Sequence, residues 1–469
     1  MPFKSAAHCN AVAYDAFAYV FSFLRFEALG DVARVCRRWR ASAADPFWMP
    51  DVVVYAWGRR GASGLDIDAD RPTLLDFSLA NHVRTVCCAD EATFAVTLEG
   101  HLYHWGRSWH PAINENGAVD AWRADVARPT RVQGVDDVVC VACAPSGYYH
   151  GRARAVGYSC AAVAGDGALY TWGNNFYGQL LHPPPRDRGN PLAYLLKRPK
   201  RVAFPDGGAT VKVAVGLEYL ALQRREAGGE TRVSCAGRFV DNVDPEPLRP
   251  LPELDGVELA DLKGGAFHCC ALAKTGELWV FGDEYGADEA NGNLLGLGEV
   301  PRAELGAQGG GGPAPAARGE RRVGERSFVS PTVVPGLPSI VSVAASTYAT
   351  AAVAVDGRCF TWGDADGGAL GHAVMPCDRP GWVSALRGAT ACAAALSYTN
   401  GAVATRTGRV YVWGGTAWEG GVAGGRAGGG GAGEVVFGGA PPCYACAELA
   451  LGHRHGFLVF EKRAGGNGA

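Results

Sequence analysis

Two Cys-x-x-Cys pairs, Cys140/Cys143 and Cys443/Cys446, are the residues of this 469-residue chain whose type and spacing best suit a reaction or a metal. Thiolates at that interval bind zinc or cycle through a disulfide. His268 and His455 each stand just ahead of an apolar run, where an imidazole could be a ligand, a proton carrier or a hydrogen-bonded structural group. Lys197-Arg198-Pro199-Lys200-Arg201 is a basic cluster of the kind used for nuclear import or nucleic-acid contact. Beyond these the chemistry is thin. No Gly-x-x-x-x-Gly-Lys, Gly-x-Ser-x-Gly or paired-His helix occurs, so nothing points to phosphate transfer, acyl transfer or metal-assisted hydrolysis. The sequence therefore assigns no catalytic, cofactor-binding or metal-binding residue.

The elements that must carry these residues repeat. The phrase Thr93-Phe-Ala-Val-Thr-Leu-Glu-Gly-His-Leu-Tyr-His-Trp105-Gly106 returns as Ala161 to Trp172-Gly173 and as Ala351 to Trp362-Gly363, and again through Thr407-Gly408 to Trp413-Gly414. Phe94, Val96 and Leu98 alternate at the period of a strand, and Glu99-Gly100 suits a two-residue primed hairpin turn. An apolar strand such as Val138–Ala142 or Ile340–Ala344 precedes each hairpin. Pro-led phrases, including Arg128-Pro129-Thr and Ser330-Pro331-Thr, read as the first position of a fourth strand, where a missing N–H costs nothing. Four short strands per repeat make a propeller blade. Units end at Gly58, Gly106, Gly173, Gly237, Gly282, Gly363 and Gly414. The lone strand 52–58 completes the last unit, 447–460, and so closes a ring of seven without exposed edges. Within that frame Cys140 takes the place that Ser342 holds in another copy, which turns the Cys-x-x-Cys reading toward a repeat position instead of a zinc site.

At these residues the chain resembles the regulator of chromosome condensation repeat family. The resemblance implies a mainly β, seven-bladed β-propeller over residues 51–463, with the least regular blade at 211–256 and a disordered tail at 464–469. Insertions at 107–127, 182–197, 283–329 and 415–440 leave the strand pattern, and loops on a rigid ring are where binding is usually placed.

Residues 1–50 follow a different rule. Phe17, Val20, Phe21 and Leu24 fall at i, i+3, i+4 and i+7, and Leu29, Val32, Cys36 and Trp39 continue at helical spacing. So short a helical segment covers its apolar face with a partner. Phe21-Ser-Phe-Leu24, Val35-Cys-Arg-Arg-Trp-Arg40 and Asp45-Pro-Phe-Trp48 resemble the F-box. That likeness implies a Skp-type adaptor and a cullin scaffold as partners, with Phe17, Val20, Phe21, Leu24, Val35, Cys36 and Trp39 as the adaptor-binding residues.

Together the two resemblances imply a non-catalytic substrate-recognition subunit of a Skp-cullin-F-box ubiquitin ligase, holding an unknown target protein on its propeller loops. Guanine-nucleotide exchange on a small GTPase, or chromatin-linked binding, is the alternative that the propeller family carries. The Gly-Trp-Arg-His-Thr signature of ultraviolet-sensing propellers is missing. With 44 basic against 47 acidic residues, no net field favours nucleic acid or an anionic membrane. No apolar run is long enough for a membrane helix, and 15 cysteines are too dilute for a disulfide scaffold. The reading is a chain of the cytoplasm, the nucleus or both.

Overall fold

The structure is a computed structural model. It describes residues 52–65, 69–75, 82–89, 92–107, 112–113, 119–120, 125–145, 158–183, 191–238, 246–283, 294–298, 328–364, 368–372, 377–405, 409–414, 433–435, 444–452 and 455–462. The helical segment at 1–50, the tail at 464–469 and Cys443 lie outside these residues.

Seven four-stranded antiparallel sheets form a seven-bladed β-propeller. Blade 1 runs Val83–Cys88, Ala92–Thr97, Leu102–Arg107, Asp125–Arg131, and blade 2 runs Val138–Cys143, Ser159–Ala164, Leu169–Asn174, Leu195–Arg201. Blades 3 and 4 begin at Ala209–Val215 and Leu259–Gly264, and blades 5 and 6 at Ile340–Ala345 and Ala391–Leu396. Blade 7 takes its two inner strands, Tyr444–Leu451 and His455–Lys462, from one end of the chain and its two outer strands, Val52–Gly58 and Ala69–Leu74, from the other. Val52 pairs with Glu461 and Gly58 with His455 across that junction. The innermost strands touch one another in sequence all the way around, blade 7 against blade 1 included. The described residues of 211–256, where the repeat is hardest to see, belong to a regular four-stranded blade 3 and the turn that follows it.

The core is distributed along the seams between blades. Phe94 and Leu102 of blade 1 pack with Val141 and Trp172 of blade 2, and the same arrangement joins Leu278 and Val280 of blade 4 to Trp362 of blade 5. Each second strand, such as Ala92–Thr97, His268–Ala273 or Ala349–Ala354, is buried on both faces because a neighbouring blade covers each side. Such strands read as continuous apolar runs, not as alternation. Leu98, read as part of the alternation, is exposed in the turn beyond its strand.

Two further expectations are corrected. The hairpin turn is a three-residue loop: Thr97 N–H donates to His101 O, Gly100 N–H donates to Thr97 O, and Gly100 sits at φ +79°. A type I turn followed by a left-handed Gly matches strand twist as well as a primed turn does. Pro380 stands just ahead of its outermost strand, Gly381–Trp382, but Pro129, Pro199 and Pro331 stand inside theirs. Pro129 and Pro199 occupy register shifts between His104/Gly106 and Thr171/Gly173 of the neighbouring strands. A bulge on an edge strand leaves the missing N–H unneeded.

Candidate functional site

The chain is laid out so that the two rims of the ring differ. In blades 1 to 5 the loops between second and third strands are short, as at Leu98–Gly100 and Gly165–Gly167. Segment 107–127 does not leave the strand pattern altogether, since Ala112–Ile113 pairs with Val119–Asp120. The expected insertions 107–127, 182–197 and 283–329 span the connection from third to fourth strand in blades 1, 2 and 4. The expected insertion 415–440 spans it in blade 6 but also holds that blade's fourth strand, Gly433–Val435. Antiparallel connection puts those loops on the same rim as the loops between first and second strands. The described ends of these connections therefore lie on one rim. Its opposite is the rim where Val52, paired with Glu461, begins the propeller.

The described part of the insertion rim is aromatic. Successive loops between first and second strands offer Leu217, Phe267, Tyr348 and Tyr398. Phe267 and Tyr348 stack with ring centres 5.9 Å apart, and Tyr348 meets Tyr398 edge-on at 5.7 Å. Tyr398 is 38% exposed, a large fraction for a ring held between neighbours. A second cluster lies between blades 2 and 3. Phe176 packs on Tyr177 and Tyr194, and the Arg238 guanidinium lies 3.9 Å from the Tyr177 ring centre. Glu218 accepts two hydrogen bonds from Arg238, at 2.9 and 2.7 Å, and so fixes that cation over the ring. Rigid aromatic rings with a positioned guanidinium are the side chains that anchor protein–protein contacts. The sequence reading missed the arc. Part of its signal was present: Phe267 and Tyr348 hold the same loop position in two successive repeats, and Tyr398 stands one residue earlier in the next.

The repeat's conserved-looking features are structural braces. The Trp362 indole N–H donates to Leu294 O at 3.1 Å and that of Trp413 to Ala369 O at 2.7 Å, each reaching the Gly-rich tail of the preceding blade. His268 Nε2 is 2.8 Å from Thr350 Oγ1, and His455 Nε2 is 2.9 Å from Thr93 Oγ1. Both imidazoles are buried and tie one blade to the next, so neither addresses a substrate. Burial lowers His268 to a pKa of about 4. Lys197, Arg198, Lys200 and Arg201 are exposed on the outermost strand of blade 2, where charge also discourages pairing with another sheet edge. Among the described residues, no three His, Cys, Asp or Glu side chains gather as metal ligands would. Among them, no helix is long and apolar enough to cross a membrane. The expected adaptor-binding residues Phe17, Val20, Phe21, Leu24, Val35, Cys36 and Trp39 lie outside the described residues.

The regulator of chromosome condensation (RCC1) repeat matches residues 166–222, and an F-box-like domain matches residues 15–49. The ring is shared with Prp20p of Saccharomyces cerevisiae, in a structure reported with its binding properties to Gsp1p and histones: TM-score 0.57, 15% identity, 89% of this chain and 93% of that one. Human WBSCR16 superposes with TM-score 0.59 at 16% identity over 88% of this chain and 99% of its own. These likenesses carry the fold alone. In sequence the chain is similar to Protein pim1 of Schizosaccharomyces pombe, 24% identical over 68% of this chain and 57% of that protein. It is also similar to human E3 ubiquitin-protein ligase HERC2, 26% identical over 49% of this chain and 4% of that protein. The chain thus spans little more than half of one of these relatives and a small part of the other.

The fold is a seven-bladed β-propeller, and one stretch of it matches the RCC1 repeat. More particularly, this one follows an F-box-like segment, and the chain combines the two.

Proposed function

We propose that this chain is the substrate-recognition subunit of a Skp-cullin-F-box ubiquitin ligase. Residues 15–49 dock the Skp-type adaptor through Phe17, Val20, Phe21, Leu24, Val35, Cys36 and Trp39, and the insertion rim of the propeller receives the target protein. The observation that carries this reading is the polarity of the ring. The F-box-like match ends at residue 49, and the propeller starts at Val52 on the rim of short turns. The loops rich enough to recognise a partner open on the other rim, about 20 Å away along a seven-residue strand. Adaptor and target would then sit on opposite sides of a rigid disc, each free of the other. Such a subunit works by raising the target's effective concentration near the charged enzyme, with no chemistry of its own.

The test is recovery of a Skp-type adaptor and a cullin with the full chain, compared for wild type, Trp39→Ala and Leu24→Asp. Both variants should lose the adaptor while keeping the thermal unfolding of the ring. Undiminished recovery refutes the assignment. A second reading, nucleotide exchange on a small GTPase, is the one that resemblance to the repeat family brings with it. Accelerated nucleotide release by the full chain would favour it.

A further inference from the structure

The innermost strands line the axis of the ring, and their half-buried positions hold an unusual set of side chains. Cys87 of blade 1 and Cys143 of blade 2 meet there with their Sγ atoms 3.0 Å apart. They are 56 residues apart in sequence and belong to different sheets. Lys263 comes in from blade 4, on the far side of the axis, 3.3 Å from Asp261 and 45% exposed. Glu448 of blade 7 completes the surroundings, accepting hydrogen bonds from Thr85 Oγ1 at 2.9 Å and Val86 N–H at 2.8 Å.

We infer that Cys87 and Cys143 are a peroxide-responsive thiol pair that closes to a reversible disulfide between blades 1 and 2. The sulfurs need to approach by about 1 Å to reach the roughly 2.05 Å of a disulfide. Adjacent inner strands can supply that movement by side-chain rotation.

The surroundings give the two sulfurs different roles. The hydrogen bond with Cys143 lowers the Cys87 thiol, and Lys263 across the axis adds to the fall against the effect of burial. The same hydrogen bond and burial raise Cys143 well above the ordinary range. Burial also raises Cys88 and Cys160, and it pushes Cys140 up to about 11. Cys87 is half-buried at the axis whereas Cys143 is buried, so Cys87 is the sulfur that meets the oxidant and Cys143 is the thiol that resolves it. In the first step Cys87 thiolate attacks one oxygen of hydrogen peroxide, forming the S–O bond of a sulfenic acid and releasing hydroxide, which takes a proton to become water. In the second, Cys143 sulfur attacks Cys87 sulfur, the S–O bond breaks, and the hydroxyl leaves with the Cys143 proton as water. Two thiols have given two electrons to one peroxide, and a dithiol reductant reverses the bond. The partly exposed axis supplies the path for a molecule as small as peroxide. The resulting staple fixes the relative position of two blades that both carry insertions on the recognition rim.

The experiment uses the full chain, reduced, freed of reductant and exposed to hydrogen peroxide. It is then alkylated, digested and mapped by mass spectrometry. The expected product is a peptide pair joined through Cys87 and Cys143, lighter than the two reduced peptides by two hydrogens and separated again by dithiothreitol. Cys143→Ser should leave Cys87 as a sulfenic acid captured by dimedone, whereas Cys87→Ser should yield neither adduct nor link. Lys263→Met should slow loss of the free Cys87 thiol by about tenfold. If either cysteine variant fails to fold, the wild-type map alone decides. The inference is overturned if both thiols remain fully alkylatable after peroxide. It is equally overturned if dimedone labels Cys143 in place of Cys87, or if the bond forms only at the other inner-strand pair, Cys392 with Cys446. Stoichiometric zinc on these thiols in the purified chain would overturn it as well.

Discussion

Acidification should open the seam between blades 4 and 5 through one imidazole. His268 is fully buried, and its Nε2 is bonded to Thr350 Oγ1 on the neighbouring blade. An unfolded histidine titrates near 6.5, and burial lowers His268 to about 4. Above pH 6.5 the residue is neutral in both states, and its full contribution to stability is present. As pH falls from 6.5 toward 4 the unfolded chain takes up a proton that the folded chain refuses, so stability is lost. A gap of roughly 2.5 units at 1.36 kcal/mol each amounts to about 3 kcal/mol. His268→Gln keeps a polar group for Thr350 but cannot titrate. Urea unfolding of wild type and variant, followed by tryptophan fluorescence at intervals between pH 7.5 and pH 4, isolates the effect. The variant should start less stable at neutral pH, and the wild type should lose about 3 kcal/mol more than the variant on acidification. Parallel curves for the two proteins would refute the argument that burial keeps this ring neutral.

Other perturbations follow from the same geometry. Gly363→Ala should destabilise the ring by about 3 kcal/mol, because its backbone sits at φ +110° and a Cβ there would meet Tyr348 O; a thermal unfolding shift of several degrees checks it. Glu448→Ala should cost about 2 kcal/mol by stripping Thr85 and Val86 of their acceptor across the closing seam, read by denaturant unfolding. Burial holds the Glu448 carboxyl above its ordinary range, so the unfolded chain gives up that proton first as pH rises. Its contribution therefore falls with rising pH just above the usual carboxylate range, and Glu448→Gln should remove that slope.

The parts of this protein that were legible in the sequence are those the fold forces to repeat. Trp362-Gly363 and Trp413-Gly414 recur because an indole must reach under the previous blade's loop, as the bonds to Leu294 and Ala369 show. Five Trp-Gly endings and two degenerate ones, at Gly237 and Gly282, counted the blades. Local rules served less well where packing overrode them. Ala92–Thr97 is covered on both faces, so alternation misjudged Leu98, and a left-handed Gly100 admits a loop one residue longer than the sequence pattern suggested. Proline marked the outer strands correctly but not its place within them, because a bulge tolerates it as well as a strand start. The thiol pair was hidden for another reason. Cys-x-x-Cys directs attention to Cys140 with Cys143, yet successive residues of one strand point apart, and the true neighbour of Cys143 comes from the adjoining blade. Laying the repeats over one another aligns Phe267 with Tyr348 but sets Tyr398 one residue early, so only the folded ring brings the three together.

Blade 7 draws on segments at opposite ends of the fold, and this has a bearing on how the chain is made. Val52–Gly58 leaves the ribosome early and must wait, unpaired on its inner side, until His455–Lys462 is synthesised. During that interval six blades can mature while the strand that will fasten them remains an open hydrogen-bonding edge beside an F-box-like segment. A message cut short, or a stop placed before residue 444, would produce a ring that never latches, with an adhesive strand at its front. Synthesis of residues 444–462 is the step that turns an open arc into a finished disc.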